Sequence, residues 1–295
     1  MQSADFLSAV FFYLKEGENL NQNWIVENLN NAFSTWNGKL GELWGLVTTG
    51  PQTFKGGAVW SVMQTLHNGM VGIGYALVVL FFAISLCKNT MNFHELKRPE
   101  AAIHYFLRFV AAKAFVGYGM DIMLNVFSIC NGIVTDMADS MGGISEAMVS
   151  LPAEMQTAIE NVGFLASIPL WLVTILGSLF ITVLSFVMIL TVYGRFFRLY
   201  MYTALAPLPL AAFAGESTQS VGISFLKSYV GVCLEGAVIV LACVIYSAFV
   251  STPTVASGEA TTIVWSYLAE TVFNMLVLVG LIKGSDRIIH EMMGL

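Results

Sequence analysis

The sequence predicts an all-α, polytopic membrane protein with about five transmembrane helices, N-out/C-in, with amphipathic helices at its N-terminus. Three observations predict this class. Of the 295 residues, 57% are hydrophobic and only 11% are charged, a balance typical of membrane proteins. Several apolar segments approach or exceed the roughly 20 residues that cross a bilayer. Lysine and arginine are clustered in alternate loops, and such clusters mark the cytoplasmic side.

Residues 1–57 are predicted to form an extracellular or interfacial amphipathic region, distinct from a transmembrane helical domain over residues 58–295. From Leu20 to Val47 the apolar residues recur at helical spacing, with asparagines between them, which places the apolar side chains on one helix face. Tryptophans on that face favour a membrane surface. The alternative is a helix, or a pair of helices, docked on protein. Gly-Pro and Gly-Gly pairs within residues 50–57 then predict a hinge.

Five apolar segments are predicted to cross the membrane, over about residues 68–87, 106–130, 164–193, 228–250 and 263–282. We expect the second of these to be one continuous helix from about Glu100 to Val134. Pro99 suits its first turn, because proline lacks the backbone N–H that would have no partner there. A short helix is also predicted over Ala153–Val162, within a polar segment that separates the second span from the third.

Four of the charged residues within these spans are candidates for lining a cavity or for intramembrane polar contacts: Lys113, Asp121, Glu235 and Glu270. On a single helix, Asp121 would lie ~12 Å beyond Lys113 along the axis, at 1.5 Å per residue. A carboxylate at that depth is expected to face a bundle interior, a polar cavity or a partner rather than lipid. Pore lining, proton transfer and purely structural pairing remain the alternatives for Asp121.

The basic residues predict the orientation of the chain. Clusters at Lys88–Arg108, Arg195–Lys227 and Lys283–Arg287 are assigned to the cytoplasm, which leaves outside the two segments without lysine or arginine, 135–163 and 251–261. With five spans, this assignment places the N-terminus outside the cell and the C-terminus inside it.

A broken apolar run follows the third span. Arg195 and Arg198 are predicted to end that span, and Pro207 and Pro209 then interrupt the next apolar stretch. The break indicates a kinked inner-leaflet or re-entrant element over residues 199–216, whose freed backbone groups protein or water must cover. An ordinary cytoplasmic turn is the alternative. The two arginines and two prolines are candidate contacts for substrate or partner, although either arginine could serve only to set the topology.

The sequence lacks the motifs of several kinds of catalytic site. It contains no phosphate-binding glycine-rich loop, no GxSxG and no HExxH, so we expect no enzymatic activity, no cofactor and no metal. His94-Glu95 has no second ligand at a helical offset. The four cysteines have no CxxC spacing and are expected to be packing residues. No internal repeat relates the two halves, as repeats do in many secondary transporters.

Particular residues resemble a known family. The run from Arg195 to Leu210, followed by Phe213–Glu216, is similar to the TrbL-like polytopic channel subunits of Gram-positive conjugative elements. These are the counterparts of the VirB-type inner-membrane pore protein of type IV secretion systems. The resemblance touches about residues 60–135 and 190–250. Further stretches agree with it, namely Met63–Leu66, Asn92–Glu95, Asp121–Met123 and Val126-Phe127.

The resemblance implies a channel or scaffold component of a conjugation machine in the cytoplasmic membrane. Such a protein would form a homo-oligomer among membrane lipids, associate with the secretion ATPases and the coupling protein, and help translocate single-stranded DNA with its attached relaxase. The net charge of -6 does not oppose this, because non-specific nucleic-acid contact depends on local cations. Arg195, Arg198, Lys97 and Arg98 would supply those cations on the cytoplasmic side.

Two alternatives come from other functional classes. One is an ion-coupled small-solute transporter that uses the four intramembrane charges. The other is a non-conducting membrane scaffold that anchors the secretion ATPases without touching the substrate.

Overall fold

The chain is helical throughout the part that the structure, a computed structural model, describes: residues 2–90, 99–140, 148–160, 162, 164–249 and 260–294. These residues contain no strand, which confirms the all-α prediction. Their α-helices are α1 (Gln2–Thr48), α2 (Ala58–Thr90), α3 (Pro99–Gly117), α4 (Gly119–Ser140), α5 (Ala153–Glu160), α6 (Phe164–Leu205), α7 (Pro207–Leu210), α8 (Gln219–Phe249) and α9 (Ala260–Met293). Short 3₁₀ helices cover Phe54–Gly57 and Ala211–Ala214.

Four helical segments are long and apolar enough to cross a membrane: Phe54–Lys88, Ser167–Leu205, Gln219–Phe249 and Thr262–Met293. Helices α3 and α4 meet the same criteria only as a pair, bent by 72°. The described residues therefore hold four candidate spans, or five if the bent pair crosses, which confirms a polytopic helical membrane protein. The N-out/C-in orientation stays a prediction.

The second predicted span is not the continuous helix expected over residues 100–134. Helix α3 ends at Gly117 and α4 begins at Gly119. A Cβ atom at Gly117 would lie 2.7 Å from the Tyr75 hydroxyl, and one at Gly119 would lie 3.1 Å from the Leu210 side chain, so neighbouring groups occupy the space of a side chain at both positions. The axial distance predicted between Lys113 and Asp121 does not hold, because the two residues belong to different helices.

The third predicted span lies within a helix that continues beyond residue 193. Helix α6 continues through both arginines to Leu205, because the arginines find partners within the protein and do not need to leave the apolar phase. The Pro-x-Pro break therefore begins only at Ala206.

The chain divides into two compact units. The first comprises Met1–Trp44, Met141–Thr191 and Leu241–Lys283, and the second comprises Gly45–Ser140, Val192–Val240 and Gly284–Leu295. Helices α1, α6, α8 and α9 contribute residues to both. The predicted division at residue 57 stays a prediction.

In the first unit, α1 packs on α6 and on the segment before α5. Over residues 29–47 the apolar face that the sequence predicted is buried, including Leu29, Phe33 and Trp36, whereas Trp24 is 43% exposed. Polar residues between them also reach protein partners. Asn28 donates to the Ser178 hydroxyl (3.0 Å), and Asn37 exchanges two hydrogen bonds with the Val149 backbone (2.8 and 2.9 Å). Burial in protein thus accounts for the apolar stripe without a membrane surface, although an interfacial position of residues 1–57 stays a prediction.

In the second unit, a tight turn joins α1 to α2, at the place where a hinge was predicted. Lys55, Gly56 and Gly57 all have positive φ, and Phe54 stacks on the Phe196 ring at 4.1 Å. The Tyr200 hydroxyl donates to the Pro51 carbonyl (2.8 Å). Ring stacking and a hydrogen bond therefore hold the turn against α6.

The Pro-x-Pro segment of the second unit packs against α2 and α3. Pro207, Leu210 and three alanines of the following 3₁₀ helix are buried. Local hydrogen bonds satisfy its backbone, such as the one from the Leu210 N–H to the Ala206 carbonyl (3.1 Å). The segment is a buried helical break rather than an exposed turn, and the side of the membrane on which it lies stays a prediction.

Candidate functional site

A polar cleft lies along α4 in the second unit. Its volume is about 520 Å³, and its polar lining comes from Gln52, Asp121, Asn125, Ser128 and Asn131. Four of these residues are spaced so that they fall on one side of α4, because intervals of three and four residues return to the same helix face. The cleft is therefore the polar side of a membrane-associated helix.

The exposed face of α4 continues the polar lining of this cleft. Asp121, Asn125 and Ser128 are exposed, and Asp136 and Asp139 extend the row toward the end of the helix. We call these five residues the α4 stripe. Hydrocarbon is a poor environment for such side chains, since an aspartate at the middle of a membrane helix costs about 2.5–3.5 kcal/mol on the insertion scale. Wherever the stripe lies within the membrane, water or another protein surface must therefore cover it.

Asn131 joins the cleft to the end of α1. Its side-chain amide donates to the Thr48 carbonyl at 3.3 Å, one of the last carbonyls of α1, which have no partner within the helix. Its side-chain oxygen is buried and has no hydrogen-bond partner among the described residues. A buried amide oxygen without a partner is costly, so this oxygen is a position at which water entering the cleft would be bound.

Arg195 is completely buried in the same unit. Its Nε and Nη2 donate to the backbone carbonyls of Val232 (3.3 Å) and Cys233 (3.1 Å) on α8. Its Nη1 donates to the Val47 carbonyl in the last turn of α1 (3.4 Å), where a cation is favoured. The Phe127 ring lies 6.0 Å from its guanidinium carbon. Arg195 thus joins three helices, and no surface ligand reaches it.

Gly236 makes room for this guanidinium. A Cβ atom at that position would lie 2.8 Å from three guanidinium atoms of Arg195. That separation is closer than van der Waals contact, so a side chain at Gly236 would displace Arg195 from the backbone of α8.

Glu235 forms a buried ion pair next to Arg195. Its carboxylate, 1% exposed, accepts two hydrogen bonds from Nη2 of Arg198 (2.6 and 2.5 Å) and one from the Ser285 hydroxyl (3.3 Å). Asp286 lies 3.7 Å from the same guanidinium. Glu235 is therefore a buried carboxylate with a cationic partner, and it does not line the cleft.

The remaining predicted residues are dispersed. Lys113 and Asp121 are exposed on α3 and α4, and Glu270 is exposed on α9 in the first unit. Among the described residues, no hydrogen bond or ion pair joins any two of the four predicted intramembrane charges. Of the candidate contacts, Pro207 is buried, whereas Pro209 and Arg198 are half-buried.

Four predicted positions lie outside the described residues: His94, Glu95, Lys97 and Arg98. Within the described part, no group of three or more His, Cys, Asp or Glu residues has the geometry of a metal site. All four cysteines of the chain are described and are free, with Cys87 exposed and the others buried.

Sequence reasoning found Asp121 but missed the rest of the cleft. The signal was present, because Asn125, Ser128 and Asn131 follow Asp121 at helical intervals. Gln52 had no such signal, since the turn brings it to the cleft. Gly236 was missed because only the tertiary structure places Arg195 against it.

A family model described as TrbL/VirB6 plasmid conjugal transfer like protein matches residues 36–207, more than half of the chain. The match includes α2, α3 and α4 and therefore the cleft. No curated protein and no solved structure matches the chain. The chain belongs to the TrbL/VirB6 plasmid conjugal transfer family.

Proposed function

We propose that the protein forms part of the membrane channel of a conjugative type IV secretion machine and helps translocate single-stranded DNA with its attached relaxase. Family membership and the apolar helices indicate a multi-pass membrane component of conjugal transfer machinery. Proteins of this family are structural components of transfer systems and are not known as enzymes. The cytoplasmic membrane of a Gram-positive cell is the location we propose.

The α4 stripe is the observation that carries the proposal. It places three carboxylates, an amide and a hydroxyl on the exposed side of one helix. Asp121, Asn125 and Ser128 belong to the predicted span, whereas Asp136 and Asp139 belong to the segment predicted to lie outside the membrane. The exposed side chains of α3 are mostly apolar, with Ile103, Phe106 and Leu107 about 60% exposed. A membrane component with one polar and several apolar outer faces is suited to contact water on the first and lipid on the others. We infer that the α4 stripe faces a water-filled passage.

We further propose that the passage forms between copies of the chain. Lys113 and Asp121 are both exposed, and a single copy would present both charges to lipid. A homo-oligomer around a hydrated centre removes that cost. Its formation is measured by the mass of the complex extracted in native membrane discs, and a strictly monomeric species would contradict it.

The proposed machine partners are the secretion ATPases and the coupling protein. Residues Arg198 and Pro209, which keep partly exposed side chains beside the exposed Phe197 and Met201, are the candidates for contact with a partner or with the entering substrate. The carboxylates of the α4 stripe repel phosphates, which favours passage of a strand without retention.

Thiol accessibility tests the hydrated stripe. In a chain carrying Cys87→Ser, which removes the exposed cysteine, we compare Ser128→Cys with Ile129→Cys. Both positions are exposed, Ile129 by 70%, but only Ser128 belongs to the stripe. In membranes that contain the complete transfer machinery, a charged thiol reagent should modify the cysteine at 128 several times faster, because only a hydrated thiol ionises readily. Equal modification, or faster modification at 129, would contradict a hydrated stripe.

The same labelling separates a channel from a scaffold. If the stripe lines the substrate path, a bulky reagent on Asn125→Cys should lower the frequency of conjugal transfer while the complex stays assembled. Complete labelling with unchanged transfer would favour the non-conducting scaffold. The transporter alternative gains no support from the geometry, since Glu235 is paired with Arg198 and Glu270 lies in the other unit.

A further inference from the structure

A second groove lies in the second unit, apart from the cleft on α4. It has a volume of about 360 Å³ and runs along α3, between that helix and the segment that leads into α8. One end of the groove is polar and the rest is apolar. Its lining is contributed by His104, Leu107, Arg108, Phe115, Phe213 and Gln219.

The polar end contains a cation whose partners are distant. Nη2 of Arg108 donates to the Gln219 side-chain oxygen at 3.4 Å, near the limit of a hydrogen bond. Nη1 lies 3.9 Å from the carboxylate of Glu216, whose side chain is 64% exposed. Within the described residues, these are the polar contacts of the Arg108 guanidinium. A guanidinium has five N–H donors, so most of its bonding capacity is available. His104, one helical turn away, adds a further donor.

The apolar part of the groove extends from this cation. Leu107, Ala111 and Phe115 follow along α3, and Phe213 closes the far end, with its ring 5.1 Å from that of Phe115. The lining of the groove thus suits a molecule with a compact anionic head group and an apolar chain.

The cation also lies where helices of the second unit begin and end. Gln219, its hydrogen-bond partner, is the first residue of α8. The backbone N–H of Glu216 donates to Ser85 (3.5 Å), five residues before the end of α2. Helix ends and arginines gather at the membrane–water interface, which is the depth of lipid phosphates.

We propose that this groove is a binding site for an anionic phospholipid, with its phosphate on Arg108 and one acyl chain along Leu107, Ala111 and Phe115. Arginine matches the geometry of a phosphate, and basic pockets between transmembrane helices bind anionic lipid head groups. A lipid with no net charge carries a cation of its own beside the phosphate and would pair less favourably with Arg108. Free phosphate would leave the apolar part of the groove uncovered. The inference does not depend on the proposed channel function.

The test measures lipid retention by the full-length protein. The purified chain in detergent is mixed with phosphatidylglycerol, with phosphatidylcholine or with inorganic phosphate, and bound molecules are counted by native mass spectrometry. Wild type should retain phosphatidylglycerol in preference to the other two. Arg108→Gln should weaken that retention about ten- to a hundredfold, as expected for loss of a charge-assisted hydrogen bond. Arg287→Gln removes the same charge from an 86% exposed side chain and should leave retention unchanged.

Ala111→Phe provides an independent variant. Ala111 is exposed on α3, so a larger side chain can fill the groove while Arg108 stays in place, and retention of phosphatidylglycerol should fall. Three results would each overturn the proposal: equal retention of the two lipids by wild type, unchanged retention after both Arg108→Gln and Ala111→Phe, or displacement of the lipid by inorganic phosphate at equal concentration. The last result would identify an anion site that does not recognise lipid.

Discussion

Arg195 is a buried cation that backbone carbonyls hold. Two of its partners, the carbonyls of Val232 and Cys233, belong to the interior of α8 and already accept helical N–H groups. Each carbonyl has a second lone pair, which the guanidinium uses. This arrangement requires the guanidinium to lie directly on the α8 backbone. The absence of a side chain at Gly236 is what permits the approach.

Replacing Gly236 with alanine tests that requirement. The new methyl group would occupy the position of the guanidinium, and Arg195 could move only by losing its carbonyl partners. We expect Gly236→Ala to lower the free energy of unfolding by about 1–3 kcal/mol, the usual cost of overpacking. The measurement is unfolding of the purified protein in detergent, followed by circular dichroism.

Gly194→Ala is the matched control. Gly194 lies in α6 beside Arg195, and a Cβ atom there meets nothing within 4 Å. Alanine favours the helix over glycine by about 1 kcal/mol, so this variant should be neutral or slightly more stable. If Gly236→Ala were as stable as Gly194→Ala, the close approach of Arg195 to α8 would be refuted.

Among the helices, the Pro-x-Pro break packs closely against α2 and α3. A Cβ atom at Gly74 of α2 would lie 2.9 Å from the Pro207 carbonyl oxygen and 2.9 Å from a methyl carbon of Val116 on α3. The backbones of α2 and α7 therefore approach as closely as a glycine allows, which is a common way for membrane helices to pack. Because one neighbour is a backbone atom, the structure could accommodate a side chain at Gly74 only by moving an element.

Gly74→Ala should therefore separate the break from α2. We expect a loss of about 1–3 kcal/mol in unfolding free energy and a lower frequency of conjugal transfer. Gly72→Ala, two residues earlier on the same helix, meets nothing within 4 Å and should change neither quantity. Equal behaviour of the two variants would show that the contact between α2 and Pro207 is not close in the membrane.

The elements that local pattern determines could be predicted from the sequence. The apolar stripe of α1 follows from helical spacing and is buried over residues 29–47, and the short helix α5 lies where a helix was predicted after Pro152. The end of α6 could not be predicted in this way. Charge patterns place Arg195 and Arg198 at a helix terminus, but partners on α8 and α9, more than 30 residues away, allow the helix to continue.

The candidate site likewise combines features that local spacing predicts with features that depend on long-range packing. Asp121 and its polar neighbours on α4 share one helix, so their common face is a local property that the spacing contains. The contribution of Gln52 to the cleft, and the pairing of Glu235 with Arg198, depend on long-range packing. The bend between α3 and α4 is an intermediate case, since Gly117-Tyr118-Gly119 permits a break without requiring one.

The bent pair of helices α3 and α4 decides the topology of the chain. If α3 and α4 together cross the membrane, the chain has five spans and its ends lie on opposite sides. If the pair turns back, there are four spans and the ends lie on the same side. The basic clusters predict the first arrangement.

Two cysteine substitutions measure this directly. Lys88 near the end of α2 and Ser140 at the end of α4 are both exposed, and they lie on either side of the bent pair in the chain. In the Cys87→Ser background, Ser140→Cys should react with an impermeant thiol reagent in intact cells, whereas Lys88→Cys should react only after permeabilisation. The same behaviour at both positions would show a re-entrant pair and would overturn the five-span topology.

The ion pair between Arg198 and Glu235 also bears on how the chain enters the membrane. The two residues are carried by α6 and α8, which leave the ribosome one after the other. Alone in lipid, an arginine costs at most about 2.5–3.5 kcal/mol, the value at the centre of a helix, and Arg198 lies in the last third of α6. We therefore expect the translocon to release α6 and α8 into the membrane together, as a hairpin. Release of α6 would be delayed until α8, which carries Glu235, has been synthesised. The ion pair between Arg198 and Glu235 thus implies an order in which the two helices enter the membrane.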